Sequence, residues 1–235
     1  DTFRKLEVKQ LIADEGLSEL VIHPQMTTQT VRRDAGEVVV TAQAGVVWDD
    51  LVAQAVDERW AGIECLAGIP GLVGAAPIQN IGAYGQEVCQ VTESVTVWEP
   101  GPRTVRELSA EACGFAYRSS VFKRSPAAGR VVLALTVRLT IGGAPTIRYK
   151  ELAETIGDTQ DLRKVRDAVV GLRRGKSMVV DPQDPDSRSA GSFFMNPIID
   201  SVRLAAIKAR AEENGIDTTQ MPQWPAGQGR SKLAA

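Results

Sequence analysis

The segment Gly68–Val88, GIPGLVGAAPIQNIGAYGQEV, decides how this chain of 235 residues is organised. It is rich in glycine, carries no charge before Glu87, and has neither a helical nor a strand period. Glycine permits positive φ and close backbone approach to a ligand, and converging N–H groups form a concave anion site. A buried irregular segment also needs partners for its backbone polar groups, which a bound cofactor can supply. The segment therefore predicts a cofactor-binding loop, with a Gly-rich connection between buried strands as the alternative.

The bulk composition is that of an ordinary folded protein, with 43% hydrophobic residues, 24% charged residues and a net charge of −2. Nothing in this balance points to nucleic acid or a membrane surface as a partner, and no apolar run is long enough for a membrane span. The chain has three scattered cysteines and a single histidine, His23. We therefore expect no metal site and no disulfide framework, and a reducing, cytoplasmic location.

Apolar periodicity predicts four helices and three main strands along the chain. The clearest helix has Leu162, Val165 and Val169 on one face, Asp161 near its start and Gly175 in place to end it. The polar, Pro-containing run at residues 181–191 is the best candidate for a domain boundary. The predicted helices are Trp48–Trp60, Tyr149–Gly157, Asp161–Arg174 and about Ser201–Asn214, and the predicted strands are Val38–Ala42, Gln90–Glu99 and Arg130–Leu139.

Four motifs occur in the order found in one enzyme family. They are Gly68–Val88, FAYRSSVFK at Phe115–Lys123, RRGKSMVVDP at Arg173–Pro182 and GSFFMNP at Gly191–Pro197. Together they resemble the UDP-N-acetylenolpyruvoylglucosamine reductase (MurB) family over about residues 11–235. The resemblance implies an α+β fold: a two-lobed FAD-binding domain of the vanillyl-alcohol-oxidase-like flavin fold at 1–182, then an apparently truncated α+β substrate-binding domain at 187–235. The first lobe, about 1–45, looks incomplete, and the second covers about 46–182.

The same resemblance implies a reaction and its cofactors. FAD is expected to bind without a covalent link, and NADPH is expected as hydride donor, because no side chain transfers hydride. The implied substrate is UDP-N-acetylglucosamine enolpyruvate, reduced to UDP-N-acetylmuramate in cytoplasmic peptidoglycan synthesis, which serves cell-wall formation, cell shape and division. We expect a monomer. The alternatives are a truncated, catalytically silent flavin or nucleotide-sugar binding module and an FAD-linked oxidase.

Two residues are implied as catalytic. Hydride addition to an enolpyruvyl ether leaves an enediolate, which a nearby hydroxyl can protonate, and Ser192 of GSFFMNP matches the family serine in this role. Fixed cations stabilise such an anion, and Arg118 of FAYRSSVFK matches the family arginine that contacts the substrate carboxylate. From the pattern alone, Ser192 reads as a turn or cap residue. Ala116 stands where the family usually has glycine, which puts the local geometry in doubt.

The remaining site residues follow from the same comparison of motifs. Arg173 and Lys176 also have a plain structural reading, as complements to the dipole at a helix C-terminus. Trp224 stands in for a family tyrosine. The implied substrate-binding residues are Tyr149, Arg173, Lys176, Asn196 and Trp224; the implied cofactor contacts are backbone groups at Gly71, Gly74, Ala75, Gly82 and Ala83 and the side chains of Gln79, Asn80 and Tyr84.

Two family features have no counterpart in this sequence. They are a second Gly-rich loop near the start, which helps to hold the flavin pyrophosphate, and a catalytic glutamate beyond the last residue of this chain. We expect a fragment rather than a true deletion, because loss of the first lobe would expose an unpaired sheet edge.

Overall fold

The computed structural model describes residues 23–125, 129–187, 195–219 and 221–234. The chain divides into two compact units, residues 1–189 and 190–235, which are treated separately below.

The first unit is built on an antiparallel sheet of six strands. The strand order is β1-β2-β8-β6-β7, and β3 pairs with the end of β8. A separate two-stranded ribbon is formed by β4 and β5. The strands are β1 Gln29–Asp34, β2 Glu37–Gln43, β3 Trp60–Ala61, β4 Gly82–Ala83, β5 Gln86–Glu87, β6 Thr92–Glu99, β7 Thr104–Ser109 and β8 Val131–Ile141.

The two faces of this sheet differ because successive side chains of a strand point to opposite sides. Val38, Val40 and Val137 are fully buried in the core, and Val40 and Val137 are paired across β2 and β8. Arg138, the next residue of β8, instead donates to the carboxylates of Glu37 at 2.8 Å and Glu93 at 2.6 Å. The apolar face of the sheet therefore receives the helices and the Gly-rich segment, whose Val73 and Ile81 join the same core cluster.

Three helices of the first unit, α1, α3 and α4 (Leu162–Arg174), arise where periodicity predicted them, each slightly shorter. The short helix α2 was not predicted. In α4, the Asp161 carboxylate caps the first turn by accepting from the Arg163 N–H at 2.9 Å. Gly175 ends this helix as expected, but with a φ of −60°; the left-handed residue is Ser177, with φ +51°. The helices are α1 Trp48–Asp57, α2 Val121–Arg124, α3 Lys150–Ile156 and α4 Leu162–Arg174.

In the second unit, residues 195–219 and 221–234 form one helix and a small antiparallel sheet. The helix α5, Ser201–Glu213, is capped by Asp200, whose carboxylate accepts from the Arg203 N–H at 2.8 Å. The sheet has the order β10-β11-β9. Its strands are β9 Ile198–Ile199, β10 Gln223–Pro225 and β11 Ser231–Leu233.

Within the described ranges, no helix combines the length and the apolar character that crossing a membrane would require.

Candidate functional site

The Gly-rich segment folds as short 3-10 turns followed by the β4–β5 hairpin. The two residues at the tip of this hairpin, Tyr84 and Gly85, have φ values of +48° and +86°. Positive φ at both central residues is the signature of a type I′ turn. Glycine adopts this conformation freely, but a bulky residue such as tyrosine is strained in it, and such strain is concentrated at functional sites.

The glycine at position 74 is explained by close packing. A Cβ atom on Gly74 would lie 2.7 Å from the Cβ of Ala44, so the segment can approach the end of β2 only without a side chain there. The Gly74 N–H donates to the Ala44 carbonyl at 3.0 Å, and the Ala75 N–H donates to the Leu72 carbonyl at 2.9 Å. These two N–H groups are therefore used within the chain, and they are not the free anion donors that the sequence suggested. The carbonyl of Gly71 is also paired within the chain, because it accepts from the Trp48 N–H at 3.0 Å.

Asn80 has a structural role in this conformation. Its side chain is fully buried and its φ is +50°. The amide nitrogen donates to Glu87 Oε2 at 2.9 Å and to the Ala116 carbonyl at 3.1 Å, while Oδ1 accepts from the Cys89 N–H at 3.0 Å. Both amide hydrogens are paired, so the predicted cofactor contact through this side chain is not supported. Asn80 instead joins the Gly-rich segment to the Arg118 turn.

Arg118 lies directly against the Gly-rich segment. Its guanidinium donates to the Gly82 carbonyl at 2.8 Å. It occupies a two-residue turn in which Ala116 and Ser119 exchange both backbone hydrogen bonds. The left-handed position of this turn is Arg118 itself, with φ +51°, so alanine at position 116 meets no obstacle. Arg118 therefore contacts the Gly-rich segment, and its catalytic role stays a prediction.

Arg173 borders the start of the segment and carries a donor without a partner. Its Nη2 donates to the carbonyls of Met178 at 2.9 Å and Gly68 at 3.3 Å. Its Nε is buried and has no hydrogen-bond partner among the described residues. Burial lowers the pKa of Arg173, an effect that nearby Tyr84 and Asp49 partly offset. A buried N–H of a cation needs an acceptor, and an anionic group such as a phosphate would supply one.

Lys176, Tyr84 and Tyr149 lie close to one another. The Lys176 ammonium contacts both carboxylate oxygens of Glu151, at 2.7 and 2.9 Å, and this hydrogen bonding raises the pKa of Lys176. The rings of Tyr84 and Tyr149 meet edge to face with centroids 5.4 Å apart. Burial raises the pKa of Tyr84, while the charges of Lys176 and Arg173 oppose that shift. A groove of about 410 Å³ between α3 and α4 is lined in part by Lys176 and Glu151.

The remaining predicted site residues are Gln79, Ala83, Asn196, Trp224 and Ser192. Gln79 and Ala83 are half-buried within the Gly-rich segment. Asn196 and Trp224 belong to the second unit, where Trp224 is 43% exposed and the Lys232 ammonium lies 5.4 Å from its ring centroid. Ser192 lies outside the described residues. Its catalytic role remains a prediction.

Three acidic residues around the site were missed by the sequence reasoning. Glu151 faces Lys176, Glu64 is fully buried before the Gly-rich segment, and Asp49 accepts from the Gly68 N–H at 2.7 Å. Glu64 carried a usable signal, since it is the only charge in the apolar run GIECLAGIPG. Asp49 lies in the first turn of α1, and its contact with position 68 has no local signature in the sequence.

Comparison with known proteins gives one consistent result. Residues 10–106 match the family model described as FAD binding domain. The chain is 46% identical to the UDP-N-acetylenolpyruvoylglucosamine reductase of Thermobifida fusca, over 96% of this chain and 64% of that protein. It is 44% identical to the reductase of the same name from Saccharopolyspora erythraea, over 96% of this chain and 63% of that protein. A crystal structure of the reductase (MurB) from Thermus caldophilus aligns with 82% of this chain and 60% of that one, at 23% identity and a TM-score of 0.48.

The chain thus spans less than two thirds of the length of these curated relatives. Its mixed helices and antiparallel sheet, together with the matched FAD binding domain, confirm the predicted α+β flavin-binding fold class. The resemblance that the four motifs carried is confirmed as well, since nearly the whole chain is similar in sequence to UDP-N-acetylenolpyruvoylglucosamine reductases.

Proposed function

We propose that this chain carries the FAD-binding part of an NADPH-linked reductase that converts UDP-N-acetylglucosamine enolpyruvate to UDP-N-acetylmuramate in cytoplasmic peptidoglycan synthesis. The observation that carries the proposal is a cluster of site groups against the Gly-rich segment. Arg118 contacts Gly82, Arg173 contacts Gly68, and Tyr84 lies in the turn between β4 and β5. Sequence similarity to reductases of that name supports the same assignment.

The charges in this cluster suit an anionic ligand. The charges of Lys176 and Arg173 act on Tyr84, and the charge of Arg118 acts on Arg173. Glu151 is the carboxylate in contact with Lys176. The buried Nε of Arg173 has no hydrogen-bond acceptor among the described residues. A diphosphate and a carboxylate supply negative oxygens that accept from guanidinium groups in a bidentate manner. FAD carries a diphosphate, and a UDP-sugar enolpyruvate carries both a diphosphate and a carboxylate. The residues present therefore fit the implied cofactor and substrate.

The roles of the chain's own residues follow from the chemistry of the enolpyruvyl ether. FAD, when bound, supplies the hydride that no side chain can deliver. Arg118 then holds the substrate carboxylate and stabilises the negative charge that the enediolate places on it. The hydroxyl of Ser192 protonates the neighbouring carbon, a role for which a weak acid is suited because it stays protonated before turnover. Lys176 contacts the diphosphate or pyruvyl region of the substrate, and Tyr149 reaches its nucleotide.

The test is reconstitution with FAD followed by measurement of NADPH oxidation. Oxidation that depends on the enolpyruvyl substrate is the expected result. Ser192→Ala should leave reduction of the flavin by NADPH intact and slow substrate reduction by orders of magnitude, since only the protonation step loses its donor. Equal rates in Ser192→Ala and the unmutated protein would refute the assigned role.

The same experiment separates the alternative functions. Flavin binding without substrate reduction would favour the silent binding module. Rapid oxidation of reduced flavin by oxygen, with no need for NADPH, would favour an oxidase.

A further inference from the structure

A buried carboxylate that the proposed chemistry does not use lies just before the Gly-rich segment. Glu64 is fully buried. Its Oε2 accepts from the Gly62 N–H at 2.7 Å, and its Oε1 accepts from Gln86 Nε2 at 2.7 Å and from the Thr146 N–H at 3.1 Å. All three donors are neutral, so the chain buries a negative charge and stabilises it by hydrogen bonds alone. Burying a charge is costly, and a residue with a purely space-filling role would be apolar.

Gln86 is the side-chain hydrogen-bond partner of Glu64. It is 2% exposed, and its amide is used at both ends, because Oε1 accepts from the Cys65 N–H at 2.8 Å while Nε2 donates to Glu64. The amide can therefore adopt only one orientation, in which the nitrogen faces the carboxylate. Glu64 and Gln86 thus act as a matched acceptor and donor.

This pair joins the two segments that carry the tyrosines of the site. Tyr84 lies two residues before Gln86, in the turn of the β4–β5 hairpin. Tyr149 follows three residues after Thr146, whose N–H is held by Glu64 and whose carbonyl accepts from Cys65 Sγ at 3.6 Å.

The two segments are also in direct contact. A Cβ atom on Gly85 would lie 2.9 Å from the Cβ of Arg148, so the hairpin turn packs closely on the residue before Tyr149. The tyrosine rings meet at 85° with centroids 5.4 Å apart. A small shift of either segment would separate them.

We propose that Glu64 and Gln86 are a positioning pair that fixes the contact between Tyr84 and Tyr149, and thereby sets where the substrate lies relative to the flavin. This inference rests on the proposed function, in which Tyr84 faces the cofactor and Tyr149 the nucleotide. The Glu64 carboxylate accepts from both segments at once. A charged acceptor makes stronger hydrogen bonds than an amide oxygen, which suits a joint between two irregular segments.

Glu64→Gln tests the pair with little change in side-chain shape. An amide has one oxygen and no charge, so even with that oxygen towards Gln86 and Thr146 both contacts lose the charged acceptor, while the nitrogen faces the Gly62 N–H. Thr92→Val is the matched control. It removes a buried hydrogen bond of Thr92 Oγ1 to the carbonyl of Val88, the last residue of the Gly-rich segment, at 2.8 Å, and leaves the contacts of Glu64 with Gln86 and Thr146 in place.

The first measurement is NMR of the full chain labelled with ¹³C in its tyrosine rings. The chain has three tyrosines, so the two ring systems can be assigned with single Tyr→Phe variants. The unmutated protein and Thr92→Val should show a cross-peak between the Tyr84 and Tyr149 rings. Glu64→Gln should weaken it several-fold. An unchanged cross-peak in folded Glu64→Gln would overturn the proposal.

The second measurement is steady-state kinetics after reconstitution with FAD. Glu64→Gln should raise KM for the enolpyruvyl substrate about ten-fold and leave flavin reduction by NADPH unchanged, while Thr92→Val should change neither. A lost cross-peak with an unchanged KM would overturn the claim that the pair serves the site. If the unmutated protein fails to reduce the substrate, the proposed function fails, and the cross-peak alone still decides whether the pair positions the tyrosines.

If Glu64→Gln does not fold, a double variant in which the two residues are exchanged provides the test. Glu64→Gln combined with Gln86→Glu restores a donor–acceptor contact between the two side chains and keeps an acceptor for the Cys65 N–H. It still places an amide nitrogen opposite the Thr146 N–H. A folded exchanged variant should therefore also lose the tyrosine cross-peak, and retention of the cross-peak there would contradict the proposal.

Discussion

Replacing Gly74 by alanine should destabilise the first unit through a single added methyl group. The new Cβ would lie 2.7 Å from the Cβ of Ala44 and 3.2 Å from its Cα and its carbonyl oxygen. Carbon atoms in good contact are about 3.5–4.0 Å apart, so the Gly-rich segment must move away from β2 by about 1 Å. Because most of these neighbours are backbone atoms or the short alanine side chain, no rotamer change can relieve the overlap.

The size of the effect follows from three contributions. Overpacking of this kind costs about 1–3 kcal/mol. Loss of the hydrogen bond from the Gly74 N–H to the Ala44 carbonyl adds about 1 kcal/mol. Alanine recovers about 0.5–1 kcal/mol through the lower entropy of the unfolded chain, since Gly74 does not have a positive φ. The free energy of unfolding should therefore fall by about 1–3.5 kcal/mol.

The assay is urea unfolding followed by tryptophan fluorescence. Trp48 and Trp60 are almost fully buried in the first unit, so their emission reports its unfolding. Gly171→Ala is the control, because Gly171 lies inside α4 and an added Cβ there meets nothing within 4 Å. This second change should stabilise the protein by about 0.5–1 kcal/mol, as expected for alanine in a helix interior. The two variants should thus shift the midpoint in opposite directions.

Equal midpoints for Gly74→Ala and the unmutated protein would refute the packing argument. That result would mean that the segment does not approach Ala44 closely, and that the glycine serves the cofactor rather than the core. A lower urea midpoint for Gly171→Ala would instead show that another part of the protein contacts α4 at position 171, on the side of the groove.

Two further predictions concern charge and thiol chemistry. Glu151→Gln should increase the affinity for UDP up to about five-fold, because Lys176 loses a competing carboxylate in an exposed ion pair worth about 0–1 kcal/mol; calorimetric titration measures this. At pH 8 Ellman's reagent should label Cys89 first and should reach Cys65 and Cys113 only on unfolding, since burial raises the pKa of those thiols to about 12 and about 11. Because the folded pKa values are raised, the stability linked to these thiols is complete below the ordinary value of 9.0 and is lost as pH rises toward 12.

Both predictions have matched controls in the chain. Glu154→Gln removes a carboxylate from the same helix, paired with Lys150 at 3.7 Å, and should leave UDP affinity unchanged. Weaker binding in Glu151→Gln would show that the carboxylate orients Lys176 instead of competing for it. Cys89→Ser should abolish the early labelling, and two thiols reacting before unfolding would contradict the burial of the others.

The sequence alone determined the parts of this protein that depend on local order. The apolar stripe of α4, its Asp161 cap and the strand character of β2, β6 and β8 can be inferred from neighbouring residues, because a helix or strand shows its period within a few turns or pairs. The four motifs likewise predicted the family resemblance and the site residues that it implies. Two of them, Arg118 and Arg173, do contact the Gly-rich segment.

Only the tertiary structure decided what those residues touch. Asn80 was expected to face a cofactor, yet its amide bonds to Ala116, which lies 36 positions away. Gly74 was expected to offer an N–H to a ligand, yet it packs on Ala44. Glu64 gained its importance only when folding brought Thr146, 82 positions away, to its carboxylate. Local pattern specifies the period and caps of an element, whereas such contacts arise when separate elements pack into one core, and no nearby residue records which partner that packing supplies.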